Sequence, residues 1–282
     1  LTLEAIKSLE EPIRLKMPFY LNMAHYAVHV PIQPDVLFYQ SYLEEGLDTA
    51  NAKYASMVAS MDKSLGDIMK FLSAKDIAKN TIIIFMSDNG GLSLGGARGK
   101  IAHVQNLPLR AGKGSMYEGG IRVPMIVKWP EVVKSNSNIH QYVIAEDFFP
   151  SILAMAGVSN FKTIQKVDGK SFVPLLKNNT ITDTNRILVW HYPNKWVDGD
   201  GPAINYKSAI RQGSWKLIYD LRNGHKELYN LSYDIGEHFD LSMQQPAKTK
   251  QLSLKLKEIL EKNNAPMPSY KLNSKKVEIL ID

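Results

Sequence analysis

Apolar residues recur along the first part of the chain with two periods, one typical of helices and one typical of strands. Over residues 48–74 they return at steps of three and four, which predicts a long amphipathic helix. Its predicted apolar face consists of Tyr54, Val58, Met61, Leu65, Ile68 and Leu72. Short apolar runs at 17–24, 81–86 and 123–129 predict buried strands. A helix between two such runs is typical of the βαβ unit of a parallel sheet.

The pattern changes after about residue 185. Short alternating runs between residues 186 and 231, separated by the turn sequences RQGS and RNGH, predict an antiparallel sheet. A helix near 247–262 follows, with an apolar stripe of Leu252, Leu256, Ile259 and Leu260. We therefore expect an α/β portion over 1–184 and a C-terminal subdomain of antiparallel sheet plus helix over 185–282.

Composition excludes several classes of protein. The 282 residues are 44% hydrophobic and 22% charged, which is ordinary for a globular chain. The net charge of +6 comes largely from lysines after Pro246, which we interpret as a solvated helix face; attraction to polyanions is the alternative. No basic repeat with interleaved aromatics points to nucleic acid, and no apolar run is long enough to span a membrane. Because cysteine is absent, disulfides, thiolate metal sites and a Cys nucleophile are excluded within this chain.

The sequence Ser87-Asp88-Asn89 directly follows a predicted buried strand. An acid and an amide at the carboxyl end of a parallel strand form an all-oxygen pair that suits Ca²⁺ or Mg²⁺. Gly90 and Gly91 then allow a sharp turn and a close approach of the backbone to a ligand. A plain turn explains this stretch equally well. Ca²⁺ takes roughly six to eight oxygens, so further ligands must come from elsewhere.

A second candidate lies in LRAGKGSMYEGGIRVP. Lys113 stands between two glycines, so its neighbours cannot shield its charge, and a cation there can balance a developing oxyanion. Glu118, Arg122 and the paired glycines are expected to fix this loop. Taken alone, the stretch fits a surface lysine in a flexible loop better.

Histidines supply the remaining candidates. His25 and His29 lie just past a predicted strand end, where histidine can act as a general acid or as a hydrogen-bond donor to a leaving oxygen. A lone histidine is more often structural, and two at a strand end favour function modestly. His103 and His191 are weaker candidates for contacts with substrate.

Taken together, these segments resemble the formylglycine-dependent sulfatases of the alkaline phosphatase superfamily. The resemblance rests on SDNGG, LPLRAGKGSMYEGGIRVPMIVKWP, AHYAVHVPIQ, VDGKSFVPLL, WHYP and AIRQGSWKLIYDL with KELYNLSYDIGEHFDL. It covers nearly the whole chain, from about Pro18 to the last helix. It implies an α/β, alkaline-phosphatase-like mixed sheet flanked by helices, with a C-terminal antiparallel β subdomain and a terminal helix.

The resemblance also implies roles for particular residues. Asp88 and Asn89 match metal ligands, usually on Ca²⁺, with Mg²⁺ possible. Lys113 matches the lysine that contacts the sulfate group. His29 matches the histidine that contacts the sulfate and helps the ester oxygen to leave. Variable substrate-recognition residues fall at His25, His103 and His191.

One departure from the family pattern limits what this chain can do. The family's nucleophile is a formylglycine made from Cys or Ser in C/S-x-P-x-R, and that motif is absent. The nearest string, EEPIR at 10–14, has Glu10 at the nucleophile position and is a coincidence. The family's N-terminal paired aspartates and its second Lys/His pair are also missing. We therefore expect the C-terminal portion of a sulfatase, inactive alone, whose formylglycine lies in a missing N-terminal half.

The expected reaction is hydrolysis of a sulfate monoester, on a sulfated carbohydrate or an aryl sulfate. A phosphodiesterase or phosphonate hydrolase of the same superfamily is one alternative, and a non-catalytic sulfoglycan-binding relic is the other. The resemblance implies a secreted, periplasmic or lysosome-like location.

Overall fold

The computed structural model describes residues 1–92, 105–158, 160–198, 201–271 and 274–281. The chain divides into two compact units. Leu1–Ile83 and Val127–Pro130 belong to the first unit, and the other described residues belong to the second.

The first unit is built from helices. α1 (Thr2–Arg14), α2 (Tyr39–Glu44) and α3 (Thr49–Ala74) precede the first strand. Asp48 begins α3 by accepting hydrogen bonds from two backbone N–H groups of its first turn, at 2.9 and 3.1 Å. This confirms the long helix predicted over 48–74.

The core of the first unit lies between α1 and α3. It is made by Ala5, Leu9, Ile68 and Leu72. Ile68 and Leu72 are therefore buried as predicted, whereas Val58 of the predicted apolar face is 39% exposed. The N-terminal half of α3 buries the small residues Ala52 and Ser56 instead.

The strand predicted at 17–24 is wrong. The structure forms neither helix nor strand there, and Met17 and Tyr20 are 55% and 73% exposed. A strand needs a neighbour to satisfy its backbone N–H and C=O groups. No strand among the described residues pairs with this segment.

The other two predicted strands of the α/β portion are confirmed. β1 (Ile83–Met86) and β2 (Met125–Lys128) form a two-stranded sheet. Short helices lie before and after β2 along the chain: α4 (Glu118–Ile121), α5 (Phe148–Met155) and α6 (Val173–Lys177).

The antiparallel sheet predicted near the C-terminus is confirmed in full. β3 (Ile187–Tyr192), β4 (Lys207–Gln212), β5 (Trp215–Asp220) and β6 (Lys226–Asn230) lie in sequential order, and each neighbouring pair is antiparallel. Gly213, with φ of +58°, supplies the left-handed residue in the tight turn between β4 and β5.

The last helix covers one face of this sheet. In α7 (Pro246–Lys262), the predicted apolar stripe packs into the core that β4 and β5 share. Leu252, Leu256 and Leu260 are buried there and Ile259 is half-buried, as predicted. Within the described residues, no helix is both long and apolar enough to cross a membrane. The subdomain boundary at residue 184 stays a prediction.

Candidate functional site

The Asp88–Asn89 turn directly follows β1 and is held by short-range hydrogen bonds. The Ser87 hydroxyl donates to the Asn89 carbonyl at 2.9 Å, and Asp88 Oδ1 accepts from the Asn89 backbone N–H at 2.9 Å. Asn89 Nδ2 donates to the Gly90 carbonyl, also at 2.9 Å. The Asp88 carboxylate is exposed, and the Asn89 amide uses its N–H₂ group within the turn. The side-chain oxygen chemistry of both residues is that of a hard-cation site.

Two glycines bring a second segment against this turn. The Gly90 backbone N–H donates to the Gly120 carbonyl at 3.0 Å. A β-carbon at Gly90 would lie 1.7 Å from the Gly119 carbonyl oxygen, so only glycine fits at position 90. The glycine pair after Asn89 therefore packs backbone against backbone on the pair after Glu118.

The loop that carries Lys113 is attached to the same turn. The Lys113 backbone N–H donates to the Gly91 carbonyl at 3.0 Å. Asn106 adds a bridge, because its Nδ2 donates to the carbonyls of Gly91 and Ala111, both at 2.9 Å. Its Oδ1 accepts from the Gly91 N–H at 3.1 Å. The structure thus brings Asp88, Asn89 and Lys113 onto one hydrogen-bonded backbone assembly. Sequence reasoning missed Asn106, since an asparagine in QNLPLR carries no distinguishing signal.

Glu118 holds this loop through a buried cluster of charges. Glu118 Oε2 accepts from Arg211 at 3.1 Å, and Oε1 accepts from Lys216 at 2.9 Å. Lys216 also contacts the Glu237 carboxylate at 2.8 Å. Arg122, which was expected to help fix this loop, lies 3.4 Å from Glu118. Sequence reasoning did not indicate Arg211, Lys216 or Glu237 as partners in this cluster. Charged side chains ordinarily face solvent, including a lysine in an alternating strand.

Burial and neighbouring positive charges shift the pKa values of the two glutamates of this cluster in opposite directions. Burial opposes ionisation of Glu118, but the positive charges of Lys216 and Arg211 outweigh it and hold the pKa of Glu118 below its ordinary value. Burial dominates at Glu237 and raises its pKa, against the effect of Lys216. Burial also lowers the pKa of Arg211.

The two histidines near the N-terminus belong to the first unit. His29 is exposed, and its Nδ1–H donates to the Val30 carbonyl at 2.8 Å. His25 lies 3.5 Å from the Ser64 hydroxyl. Burial is the main cause that lowers the pKa of His25, which favours the neutral ring. The catalytic role of His29 and the substrate contact of His25 stay predictions.

His191 and His103 are the other two histidines predicted to contact substrate. Both ring nitrogens of His191 contact protein groups at 2.7 Å, Nδ1 with the Ser208 hydroxyl and Nε2 with the Pro266 carbonyl. These bonds fix the ring between β4 and the segment that follows α7. Its substrate contact stays a prediction. His103 lies outside the described residues.

Asp88 and Asn89 offer the type of ligand atom that a hard metal ion prefers. Carboxylate and amide oxygens at Asp88 and Asn89 fit Ca²⁺ or Mg²⁺ better than a soft metal. Elsewhere in the described part of the chain, no group of three or more His, Asp or Glu side chains could hold a metal ion. The donor set therefore fits a hard cation and lacks most of the ligands that one requires.

The matched family profiles and the fold point to one class of protein. The profile described as "Sulfatase" matches residues 2–158, and that of "N-sulphoglucosamine sulphohydrolase, C-terminal" matches residues 111–265. A solved structure, that of Ps i-CgsB, superposes with a TM-score of 0.77 at 28% identity, covering 94% of this chain and 55% of that one. The class is that of α/β proteins with an alkaline-phosphatase-like fold, as predicted.

Within that class, the chain belongs to the sulfatase family. It is 35% identical over 281 residues to a sulfatase of Formosa agariphila, covering 92% of this chain and 49% of that protein. It is 29% identical over 253 residues to an N-acetylgalactosamine-6-O-sulfatase of Bacteroides thetaiotaomicron, covering 84% of this chain and 46% of the relative. The chain thus spans about half the length of the curated relatives it matches.

Proposed function

We propose that this chain forms the metal- and sulfate-handling part of a sulfuric ester hydrolase. One observation carries the proposal: the backbone bonds from Gly90 to Gly120 and from Lys113 to Gly91 join the acid, the amide and the lysine in one assembly. An oxygen pair for a hard cation beside a lysine matches the charge of a sulfate group. Membership of the sulfatase family supports the same conclusion.

The reaction is the addition of water across the sulfur–oxygen ester bond, which releases an alcohol and sulfate. Lys113 would contact the sulfate oxygens and offset their negative charge as the bond breaks. His29 would donate a proton to the departing ester oxygen, so that an alcohol leaves instead of an alkoxide. Both roles come from the family motifs that these residues match.

Asp88 and Asn89 would hold Ca²⁺, or Mg²⁺, together with ligands from outside the printed sequence. Such a cation supplies electrophilic assistance by drawing charge from the sulfate oxygens. The contribution of this chain is to fix the two oxygen donors. The short-range bonds of the turn and the glycine contact at Gly90 hold them in place.

The nucleophile would also come from outside the printed sequence. No Cys and no Ser-x-Pro-x-Arg motif occurs in the 282 residues, so this chain alone should not turn over a sulfate ester. The full-length protein is the product of the whole coding sequence that contains these residues.

The proposed substrate is a sulfated carbohydrate. One relative is named as an N-acetylgalactosamine-6-O-sulfatase, and Ps i-CgsB has been solved in complex with k-i-k-neocarrahexaose. Both share more than a quarter of their aligned residues with this chain, at 29% and 28% identity. The activity in the name of the first and the ligand bound to the second both involve a carbohydrate.

The test compares three substrates on the full-length protein, produced under conditions that permit formylglycine formation. They are 4-nitrophenyl sulfate, a sulfated oligosaccharide and bis-4-nitrophenyl phosphate. We expect sulfate release from the first two, its loss after chelation of divalent cations, and its loss in Lys113→Ala. Turnover of the phosphate diester alone would identify a phosphodiesterase instead. Oligosaccharide binding without any turnover would identify a non-catalytic relic.

A further inference from the structure

Glu237 holds both ends of the loop that carries Lys113. At one end of the loop, the Arg110 guanidinium donates to the Glu237 backbone carbonyl at 2.8 Å. At the other end, the Glu118 backbone N–H donates to Glu237 Oε2 at 2.6 Å. One residue of the segment YDIGEHFDL therefore closes the nine-residue segment 110–118, which contains Lys113.

The carboxylate of Glu237 is itself fixed by Lys216. Lys216 lies on β5, is fully buried, and joins the carboxylates of Glu118 and Glu237 at 2.9 and 2.8 Å. Glu237 is also fully buried, and its backbone has a left-handed φ of +53°. A non-glycine residue in that conformation carries strain that its surroundings must hold in place.

Stability alone does not account for this cluster. A buried ion pair gains little over apolar side chains of the same volume, because desolvation of the charges offsets their attraction. What distinguishes the cluster is its connection to the loop. Glu118 is followed by Gly119 and Gly120, whose carbonyls contact Gly90 with no room for a β-carbon. A displacement of Glu118 therefore reaches the turn of Asp88 directly.

We propose that Glu237, kept in place by Lys216, is a positioning residue for Lys113 and for the Asp88–Asn89 turn. The inference rests on the proposed function for the role of those residues, but not for the mechanical connection. Glu237 touches neither substrate nor metal in this proposal. It acts by fixing the two ends of the loop.

Two variants test this directly: the first removes one charge of the cluster, and the second restores the charge balance. Lys216→Met leaves the carboxylates of Glu118 and Glu237 facing each other, so their repulsion should displace the loop. In the double variant Lys216→Met/Glu237→Gln, the amide oxygen can still accept from the Glu118 N–H, and the facing charge is gone. We expect the single variant to lower kcat/KM for a sulfate ester about ten- to a hundredfold, and the double variant to recover most of that loss.

A matched control is available on the same sheet. Lys207 and Asp220 form another ion pair, largely buried, between β4 and β5 and outside the Lys113 loop. Lys207→Met should lower the thermal midpoint and leave kcat unchanged. A double variant no more active than Lys216→Met, or a Lys207→Met variant that loses as much activity, would overturn the proposal.

Hydrogen–deuterium exchange on the full-length protein separates this inference from the proposed function. The amides of residues 110–120 should exchange faster in Lys216→Met than in the wild type, and should regain protection in the double variant. Lys207→Met should leave their exchange unchanged. These outcomes require no turnover, so a protein that hydrolyses no sulfate ester would overturn the proposed function alone. Unchanged exchange in Lys216→Met would overturn the positioning role alone.

A second, independent observation concerns Trp196, which lies against the residue after Lys113. A β-carbon at Gly114, whose φ is +85°, would lie 2.1 Å from the Trp196 ring. Trp196 is nevertheless 40% exposed. A large aromatic ring is therefore presented to solvent beside the lysine proposed to contact sulfate.

Hydrogen bonds hold the backbone at Trp196 and Val197. Asn205 is buried, and its side chain accepts from the Trp196 backbone N–H at 2.7 Å and donates to the Val197 carbonyl at 3.0 Å. The neighbouring segment also holds the Lys113 loop, because Ser115 donates to the Pro202 carbonyl at 2.6 Å. Trp196 and the Lys113 loop thus share one anchor.

We infer that Trp196 is a specificity-determining residue that packs against a sugar ring of a sulfated saccharide. A partly exposed indole offers an apolar face to the C–H face of a pyranose. The sulfate of the same saccharide would lie at Lys113, so this inference also rests on the proposed function.

Calorimetric titration of the full-length protein tests it with two probes, a carrageenan hexasaccharide and a 6-O-sulfated N-acetylgalactosamine oligosaccharide. Trp196→Ala should weaken binding of at least one probe about tenfold, and Trp196→Phe should retain most of the affinity. Tyr233→Ala, which removes an aromatic ring that is 67% exposed, should change nothing. Equal affinities for wild type and Trp196→Ala, or no binding by a protein that hydrolyses 4-nitrophenyl sulfate, would overturn the assignment.

Discussion

The Gly90 backbone N–H donates a hydrogen bond to the Gly120 carbonyl at 3.0 Å, which places the end of β1 directly on the loop that follows Lys113. The contact leaves no space for a side chain, since a β-carbon at Gly90 would approach the Gly119 carbonyl oxygen to 1.7 Å. The candidate metal turn and the candidate sulfate loop are therefore one backbone unit. A change at this contact should affect both.

Gly90→Ala tests that contact. The added methyl group must separate the two segments, so we expect the free energy of unfolding to fall by about 1–3 kcal/mol and sulfate ester turnover to fall with it. Thermal unfolding and activity of the full-length protein measure the two effects. Gly66→Ala is the matched control, because a β-carbon at Gly66 in α3 meets nothing within 4 Å. That variant should be neutral or slightly stabilising. Equal stability and equal activity of the two variants would show that the contact between Gly90 and Gly119 is not tight.

Asp88→Asn tests the oxygen pair. The substitution keeps the shape and the acceptor for the Asn89 N–H but removes the negative charge, so a bound divalent cation should be held more weakly. We expect the Ca²⁺ concentration for half-maximal activity of the full-length protein to rise at least about tenfold, equivalent to about 1.4 kcal/mol. Asp168→Asn, at an aspartate whose side chain is 64% exposed, is the control and should leave that concentration unchanged. A metal requirement unaltered by Asp88→Asn would remove Asp88 from the ligand set.

Local patterns predicted the elements that are complete within this chain. The antiparallel sheet from β3 to β6 formed as expected because its strands pair with one another, and α7 covers it with the predicted leucine stripe. The strand at 17–24 failed for the opposite reason. Its apolar composition was read correctly, but no described strand pairs with it. Composition reports what a segment could bury, while pairing depends on partners elsewhere.

The candidate site was predicted only in part for a similar reason. Asp88, Asn89 and Lys113 were singled out because their residue types and glycine neighbours suggest chemistry. Glu237 and Lys216 were not, because each stands in a sequence context typical of exposed positions. Their burial follows from long-range contacts with Glu118, more than 90 residues away along the chain. The local periodicity of apolar residues does not indicate such a contact.

The isolated 282-residue chain is expected to self-associate. The segment over residues 17–37 has several apolar side chains in solvent, including Tyr26, Val36 and Leu37 at 83%, 90% and 67% exposure. Apolar surface in water favours association. Size-exclusion chromatography with light scattering should give a mass well above 31.7 kDa at micromolar concentration. The variant Val36→Ser/Leu37→Ser should shift the mass downward, whereas Thr180→Ser, an exposed polar control, should not. A monomer at every concentration would show that these side chains are tolerated in solvent.

Asp220 should make stability depend on pH at the acid end. Burial works against its charge, but hydrogen bonds from Arg222 and Lys207 outweigh burial and lower the pKa of Asp220 to about 2, from an ordinary value of 3.8. Since the folded form binds protons less readily than the unfolded form, the stabilisation is complete above about pH 4 and is lost as the pH falls towards 2.

Asp220→Asn removes the charge and keeps an acceptor for the Arg222 backbone N–H. In urea unfolding of the full-length protein, the midpoint of the variant should lie below that of the wild type at pH 6, and the difference should shrink as the pH falls from 4 to 3. Asp168→Asn should show a small difference at every pH, as expected for an exposed ion pair. A difference for Asp220→Asn that is constant with pH would mean that its cost comes from packing and not from the charge.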